Sequence, residues 1–90
     1  GINCVLFYRD STYACNLMES RLGEVIEDEP FAGYKLDVGE CPDGYVGNIV
    51  SGVPSIIIYK QGKEVSRIMG VVSSKNLEMI IKRVEDENRN

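Results

Sequence analysis

Val5-Leu6-Phe7-Tyr8-Arg9-Asp10-Ser11-Thr12-Tyr13-Ala14-Cys15 is the stretch on which the fold turns. Its first four residues complete an apolar run from Cys4 to Tyr8, the composition of a central strand buried on both faces. Asp10-Ser11-Thr12 then supplies helix-cap chemistry, with Thr12 as the N-cap, and Met18, Leu22, Val25 and Ile26 recur at helical spacing. The helix is expected to stop before Pro30. A lone cysteine, Cys15, thus stands in the first turn of a helix that follows a buried strand. Free backbone N–H groups and the positive end of the helix dipole favour a thiolate there. Glu24, Glu27, Asp28 and Glu29 read as a solvated face of the same helix.

Working outward, Tyr34, Leu36 and Val38 alternate with Lys35 and Asp37, which describes a strand apolar on one face. The stretch from Gly39 to Val50, with Gly39, Pro42, Gly44 and Gly47, reads as a loop with at most a short helix. Gly52-Val53-Pro54-Ser55 places a proline where the apolar run Ile56-Ile57-Ile58-Tyr59 opens, a position at which a strand can do without one N–H. Gln61-Gly62 turns that run into a second strand, Glu64 to Met69. Lys63, Glu64 and Arg67 mark it as a charged edge that discourages aggregation. Ser73 or Ser74 caps a last helix whose Leu77, Ile80, Ile81 and Val84 form one stripe, and the polar tail beyond Val84 is expected to fray. The order is β-α-β-loop-β-β-α. It predicts an α/β fold with a four-stranded mixed sheet and helices packed on it, as a single domain over residues 1–90.

Ninety residues suffice for one small core, and the apolar runs are too short to cross a bilayer. A formal charge of −4 without clustered Lys or Arg argues against a nucleic-acid partner. The chain has no histidine, which removes Cys-His and Ser-His-Asp nucleophile activation. Its cysteines, Cys4, Cys15 and Cys41, include no Cys-x-x-Cys pair, so neither a zinc site nor any other metal or cofactor is expected. An odd cysteine count and the lack of a signal-peptide pattern before Asn3 point to reduced thiols and a cytoplasmic setting. Cys4 reads as core. Cys41 is either a tolerated loop thiol or a resolving partner for Cys15, and Cys15 is either a buried packing residue or a reactive one.

These motifs, taken in order, resemble the thioredoxin family. The family pattern has an apolar strand ending in an aromatic pair, a Trp-Cys-Gly-Pro-Cys loop opening a helix, and later a cis-proline preceded by Ile or Val. Counting from Phe7, the first family cysteine falls on Thr12, the glycine on Tyr13, the proline on Ala14 and the second cysteine on Cys15, which gives a Thr-x-x-Cys motif. From Leu36 through Gly52-Val53-Pro54-Ser55, the hairpin at Lys60-Gln61-Gly62, and Gly70 to Leu77, the pattern runs without a gap. The resemblance implies a thioredoxin-like fold shortened at the N-terminus by the strand and helix that cover the edge and outer face of the strand around Leu36.

It also implies that the attacking thiol is absent, that Cys15 takes the shielded resolving position, and that Leu6 stands where many members carry a buried aspartate. A gapped alignment would instead put Cys15 at the attacking position, as Cys15-Asn16-Leu17-Met18, at the cost of three inserted residues. By resemblance the Val53-Pro54 peptide is cis, and Tyr13, Ala14, Val53, Pro54, Met69, Gly70 and Val71 line a groove for an extended protein or peptide segment. The expected function is that of a thiol-redox protein with a single-cysteine site. Cys15 forms mixed disulfides with protein or small thiols, Thr12 polarises or caps the site, and no intramolecular active-site disulfide forms. The alternative is a redox-inactive binding module that uses the Val53-Pro54 groove or the edge around Leu36. Peroxiredoxins also carry Thr-x-x-Cys, but their surrounding sequence and length are absent.

Overall fold

Strand β1 (Ile2–Tyr8) starts two residues before the apolar run from Cys4, because Ile2 pairs on both sides, with Phe31 and with Lys60. The computed structural model describes residues 1–42 and 46–88. After β1 come α1 (Tyr13–Ile26), β2 (Phe31–Asp37), β3 (Ser55–Lys60), β4 (Lys63–Met69) and α2 (Ser74–Asn88). The sheet order is β2-β1-β3-β4, with β1 parallel to β2 and the other pairs antiparallel. This is the mixed α/β sheet expected from the order of the segments.

Both faces of β1 and β3 are covered, so neither strand shows polar alternation. Cys4 and Leu6 from β1, with Ile56 and Ile58 from β3, pack against Met18 and Leu22 of α1 and against Leu77, Ile81 and Val84 of α2. On the opposite face Phe7 and Ile57 meet Val50, backed by Leu36, Val38, Cys41 and Val53. The first layer is helical; the second comes largely from the connection between β2 and β3. Each such aliphatic side chain contributes roughly 1.5–3 kcal/mol when fully buried.

β2 begins at Phe31, three residues before the predicted alternation, and lies at the sheet edge. A Cβ at Gly33 would come within 2.7 Å of Ile26 Cδ1, so a glycine lets the end of α1 close onto this strand. Lys35 ties β2 to its neighbours, with Nζ 3.2 Å from Glu19 Oε1 and 5.3 Å from the Tyr8 ring centre. The hydrogen bond to Glu19 raises the Lys35 pKa. Past β2 the chain makes two short 3₁₀ turns, Val38–Glu40 and Val46–Asn48. In the first, the Asp37 carboxylate accepts from the Gly39 amide at 2.9 Å. Gly44 of the predicted loop lies outside the described residues.

Gln61 (φ 52°) and Gly62 (φ 81°) form the two-residue turn between β3 and β4, both left-handed as the twist of a tight hairpin requires. The β3–β4 register shifts by one at Ile58/Tyr59: Ile58 faces Ser66 and Tyr59 faces Glu64, leaving Val65 as an extra residue. Arg67 grips the Glu64 carboxylate through two 2.8 Å hydrogen bonds and donates a third to the Ile49 carbonyl. For α2, Ser73 rather than Ser74 is the cap: its hydroxyl accepts from the Asn76 amide at 3.1 Å and its carbonyl from Leu77 at 3.0 Å. α2 continues past Val84 to Asn88, and the last two residues of the polar tail lie outside the described residues. A helix nucleated by a buried stripe gains one backbone bond per added residue, and no Gly or Pro intervenes before Asn88.

Candidate functional site

The strand registers bring three segments to one end of the sheet. Phe7 faces Ser55 and Ser55 faces Met69, so Pro54 comes level with the end of β1, and Gly70 donates its amide to the Pro54 carbonyl at 2.9 Å. α1 starts at the same end, after a turn in which Ser11 takes a positive φ of 63° and donates to Asp10 Oδ1. The Val53-Pro54 peptide is cis. Ser55 is buried, and its hydroxyl donates to the Gly52 carbonyl at 2.6 Å, closing the turn that carries Pro54.

Thr12 has the extended backbone of an N-cap, but its side chain makes no cap bond. The hydroxyl donates instead to the Arg9 carbonyl at 2.9 Å. The expectation that the Thr12 side chain caps the helix or polarises Cys15 is therefore corrected: the tight turn over residues 9–12 presents a carbonyl nearer to hand. What faces the sulfur is the Arg9 amide, whose N–H donates to Cys15 Sγ at 3.5 Å. Cys15 is 2 % exposed, at the third position of α1.

Around it the other predicted groove residues differ in access. Tyr13 is 81 % exposed, Met69 and Val71 are each half exposed, Gly70 is exposed, Ala14 and Val53 are half-buried, and Pro54 is buried. Ser51 Oγ lies 3.9 Å from Met69 Sδ. Of the predicted groove residues, Met69 lies opposite Ser55 and Gly70 is hydrogen-bonded to the Pro54 carbonyl, which sets both beside the cis-proline.

Over 65 residues the chain is 35% identical to Thioredoxin-1 of Saccharomyces cerevisiae, covering 71% of this chain and 63% of that protein. It is 43% identical over 53 residues to Thioredoxin-2 of the same yeast, 59% of this chain and 49% of that one. A thioredoxin of Staphylococcus saprophyticus is 28% identical over 85 residues, covering 92% and 82%. The chain is thus similar in sequence to thioredoxins. A mutant thioredoxin from Halobacterium salinarum shares the fold at a TM-score of 0.79 and 23% identity, covering 91% of this chain and 73% of that one. No family model matches the sequence. The chain spans less than two thirds of the length of either yeast relative.

In this chain of thioredoxin-like fold all three cysteines are free thiols. Cys4 is fully buried, and burial pushes its thiol up to about 12. Cys41 is half-buried against the Phe7–Ile57 cluster, its S–H donating to the Asp37 carbonyl at 3.5 Å. Leu6 packs in the helix-side core, so the position for which the resemblance implies an aspartate in many members is apolar here. Among the described residues no group of three or more His, Cys, Asp or Glu could hold a metal ion, and no helix is long and apolar enough to cross a membrane. Sequence reasoning missed the Arg9 amide, because a backbone donor leaves no mark in residue identity. It also missed Ser55, whose signal is a small hydroxyl directly after a proline at a strand mouth.

Proposed function

We propose that this protein is a thiol-redox protein acting through one sulfur, Cys15, which forms mixed disulfides with protein or small thiols. The observation that carries this reading is the Arg9 N–H aimed at Cys15 Sγ in the first turn of α1. Backbone donors and the helix dipole stabilise negative charge on sulfur there. Thr12 supports the arrangement indirectly: its hydroxyl holds the Arg9 carbonyl and so orients the peptide group that precedes it.

In the step itself the Cys15 thiolate attacks one sulfur of a partner disulfide. The new S–S bond forms as the partner's own S–S bond breaks, and the departing thiolate takes the electron pair and then a proton from water. A second thiol, such as glutathione, releases Cys15 by the same exchange. Tyr13, Ala14, Val53, Pro54, Met69, Gly70 and Val71 hold an extended protein partner beside the sulfur. Free thiols of this kind suit a reducing compartment, which favours a cytoplasmic setting.

Treatment with oxidised glutathione, followed by peptide mass spectrometry, should show glutathione on Cys15 of the folded protein. In Cys15→Ser this exchange should vanish while circular dichroism stays native; exchange retained by that variant would sink the proposal. A second reading is favoured by the 2 % exposure of Cys15: a redox-inactive module that holds a peptide in the Val53-Pro54 groove with no covalent step. It requires Cys15 to resist alkylation until the protein unfolds, and Pro54→Ala, but not Cys15→Ser, to weaken partner binding.

A further inference from the structure

Arg21 is half-buried on α1 and donates from Nη1 to the carbonyl of Val72 at 2.6 Å, a contact that spans 51 residues of sequence. Val72 belongs to the short segment between β4 and α2. Each end of that segment is also tethered: Gly70, at φ 80°, donates to the Pro54 carbonyl, and Ser73 caps α2. Val72 tucks against the helix-side core, whereas Val71 stands half exposed between these tethered neighbours. Val71 directly follows Gly70, whose amide is bonded to the cis-proline carbonyl.

We infer that Arg21 is a positioning residue for peptide recognition, fixing the Val71 wall of the groove at a set distance from Cys15. The inference rests on the proposed groove at Val53-Pro54. Arg21 and Cys15 ride on one helix, separated by about 9 Å of axial rise, and an arginine side chain on a helix leans back toward the N-terminus. The wall is thus referenced to the same rigid element as the sulfur, and not to the turn over residues 9–12. A guanidinium makes a charge-assisted bond, stronger than a neutral donor would make to the same carbonyl. Without it the Val72 carbonyl, partly buried, loses this donor, and the segment keeps only its two end tethers. A small disulfide that never touches Val71 is indifferent to this contact; an extended peptide is not.

The test compares two probes on the intact protein. One is an extended peptide whose single cysteine is joined in a disulfide to thionitrobenzoate; the other is the symmetrical disulfide of thionitrobenzoate. Attack by Cys15 on either forms a mixed disulfide and releases coloured thionitrobenzoate. In Arg21→Met the half-saturating concentration of the peptide should rise about tenfold, the size expected from one lost charge-assisted hydrogen bond. The limiting rate and the reaction with the symmetrical disulfide should stay within about twofold of the parent, and Arg21→Lys should restore most of the peptide affinity. An unchanged half-saturation, or an equal fall with both probes, overturns the inference. If the parent protein reacts with neither probe, the redox reading fails instead. The inference is then decided by deuterium exchange over residues 70–73, which should quicken in Arg21→Met and recover in Arg21→Lys; unaltered exchange overturns it.

Discussion

Burial in the helix-side core pushes the Cys4 thiol from an ordinary 9.0 up to about 12, and this has a measurable cost in alkali. An acid whose folded pKa lies above its unfolded one keeps its proton on folding, so the unfolded state alone loses that proton between the two values. Stability therefore falls as pH rises from about 9 toward about 12, with a limiting slope of about 1.4 kcal/mol per pH unit from this one group. Thermal melts across that range should show a steeper decline for the parent than for Cys4→Ala; parallel declines would refute it. Cys4 was legible as core from its neighbours alone, because a continuous apolar run leaves a small thiol nowhere else to go. Thr12 was legible as the residue at the cap but not in its bonding. A threonine hydroxyl at a helix start can choose between an amide ahead and a carbonyl behind, and only the turn geometry decides.

Ser73 and Thr12 stand before helices of similar length, yet only Ser73 uses its hydroxyl to accept from the helix. Removing a working cap costs about 1 kcal/mol, which in a domain of this size shifts the melting midpoint by roughly 4–8 °C. Ser73→Ala should therefore lower the midpoint by that amount, and Thr12→Ala by less; equal losses would contradict the hydrogen-bond pattern. At this scale the sequence was most readable where local chemistry and tertiary burial agree. The stripe from Leu77 to Val84, the Gln61-Gly62 turn and the proline-led entry to β3 are examples. It was least readable for β2, because the Ala32-Gly33 pair gives no strand signal. Those positions are set by pairing with β1 and by the approach of Ile26.

Over the whole molecule the two sheet faces are unequally built, one closed by two helices and the other by the connection between β2 and β3. β1 and β3 lie inside the sheet, hydrogen-bonded on both sides, while β2 holds an edge with four successive exposed residues. Native-state hydrogen exchange should find the slowest amides in β1 and β3 and faster ones in β2. Slower exchange in β2 than in β1 would show that something other than the sheet order governs opening. The candidate site lies where the strand ends and helix starts converge. Sequence motifs could name Cys15, Val53 and Pro54, but not Arg21, whose contact depends on two segments meeting across the fold.

The extra residue in β4 acts as a frameshift in the two-residue alternation of the strand. In an uninterrupted strand residues 64 and 67, an odd number of steps apart, would point to opposite sides of the sheet. Because Val65 is skipped in the pairing, Glu64 faces Tyr59 and Arg67 faces Ile57, and those two partners share a side. The Glu64–Arg67 pair, with its further reach to Ile49, exists only in the shifted frame. A homologue with one residue fewer at Val65 would need a different clasp to hold the second layer against the sheet.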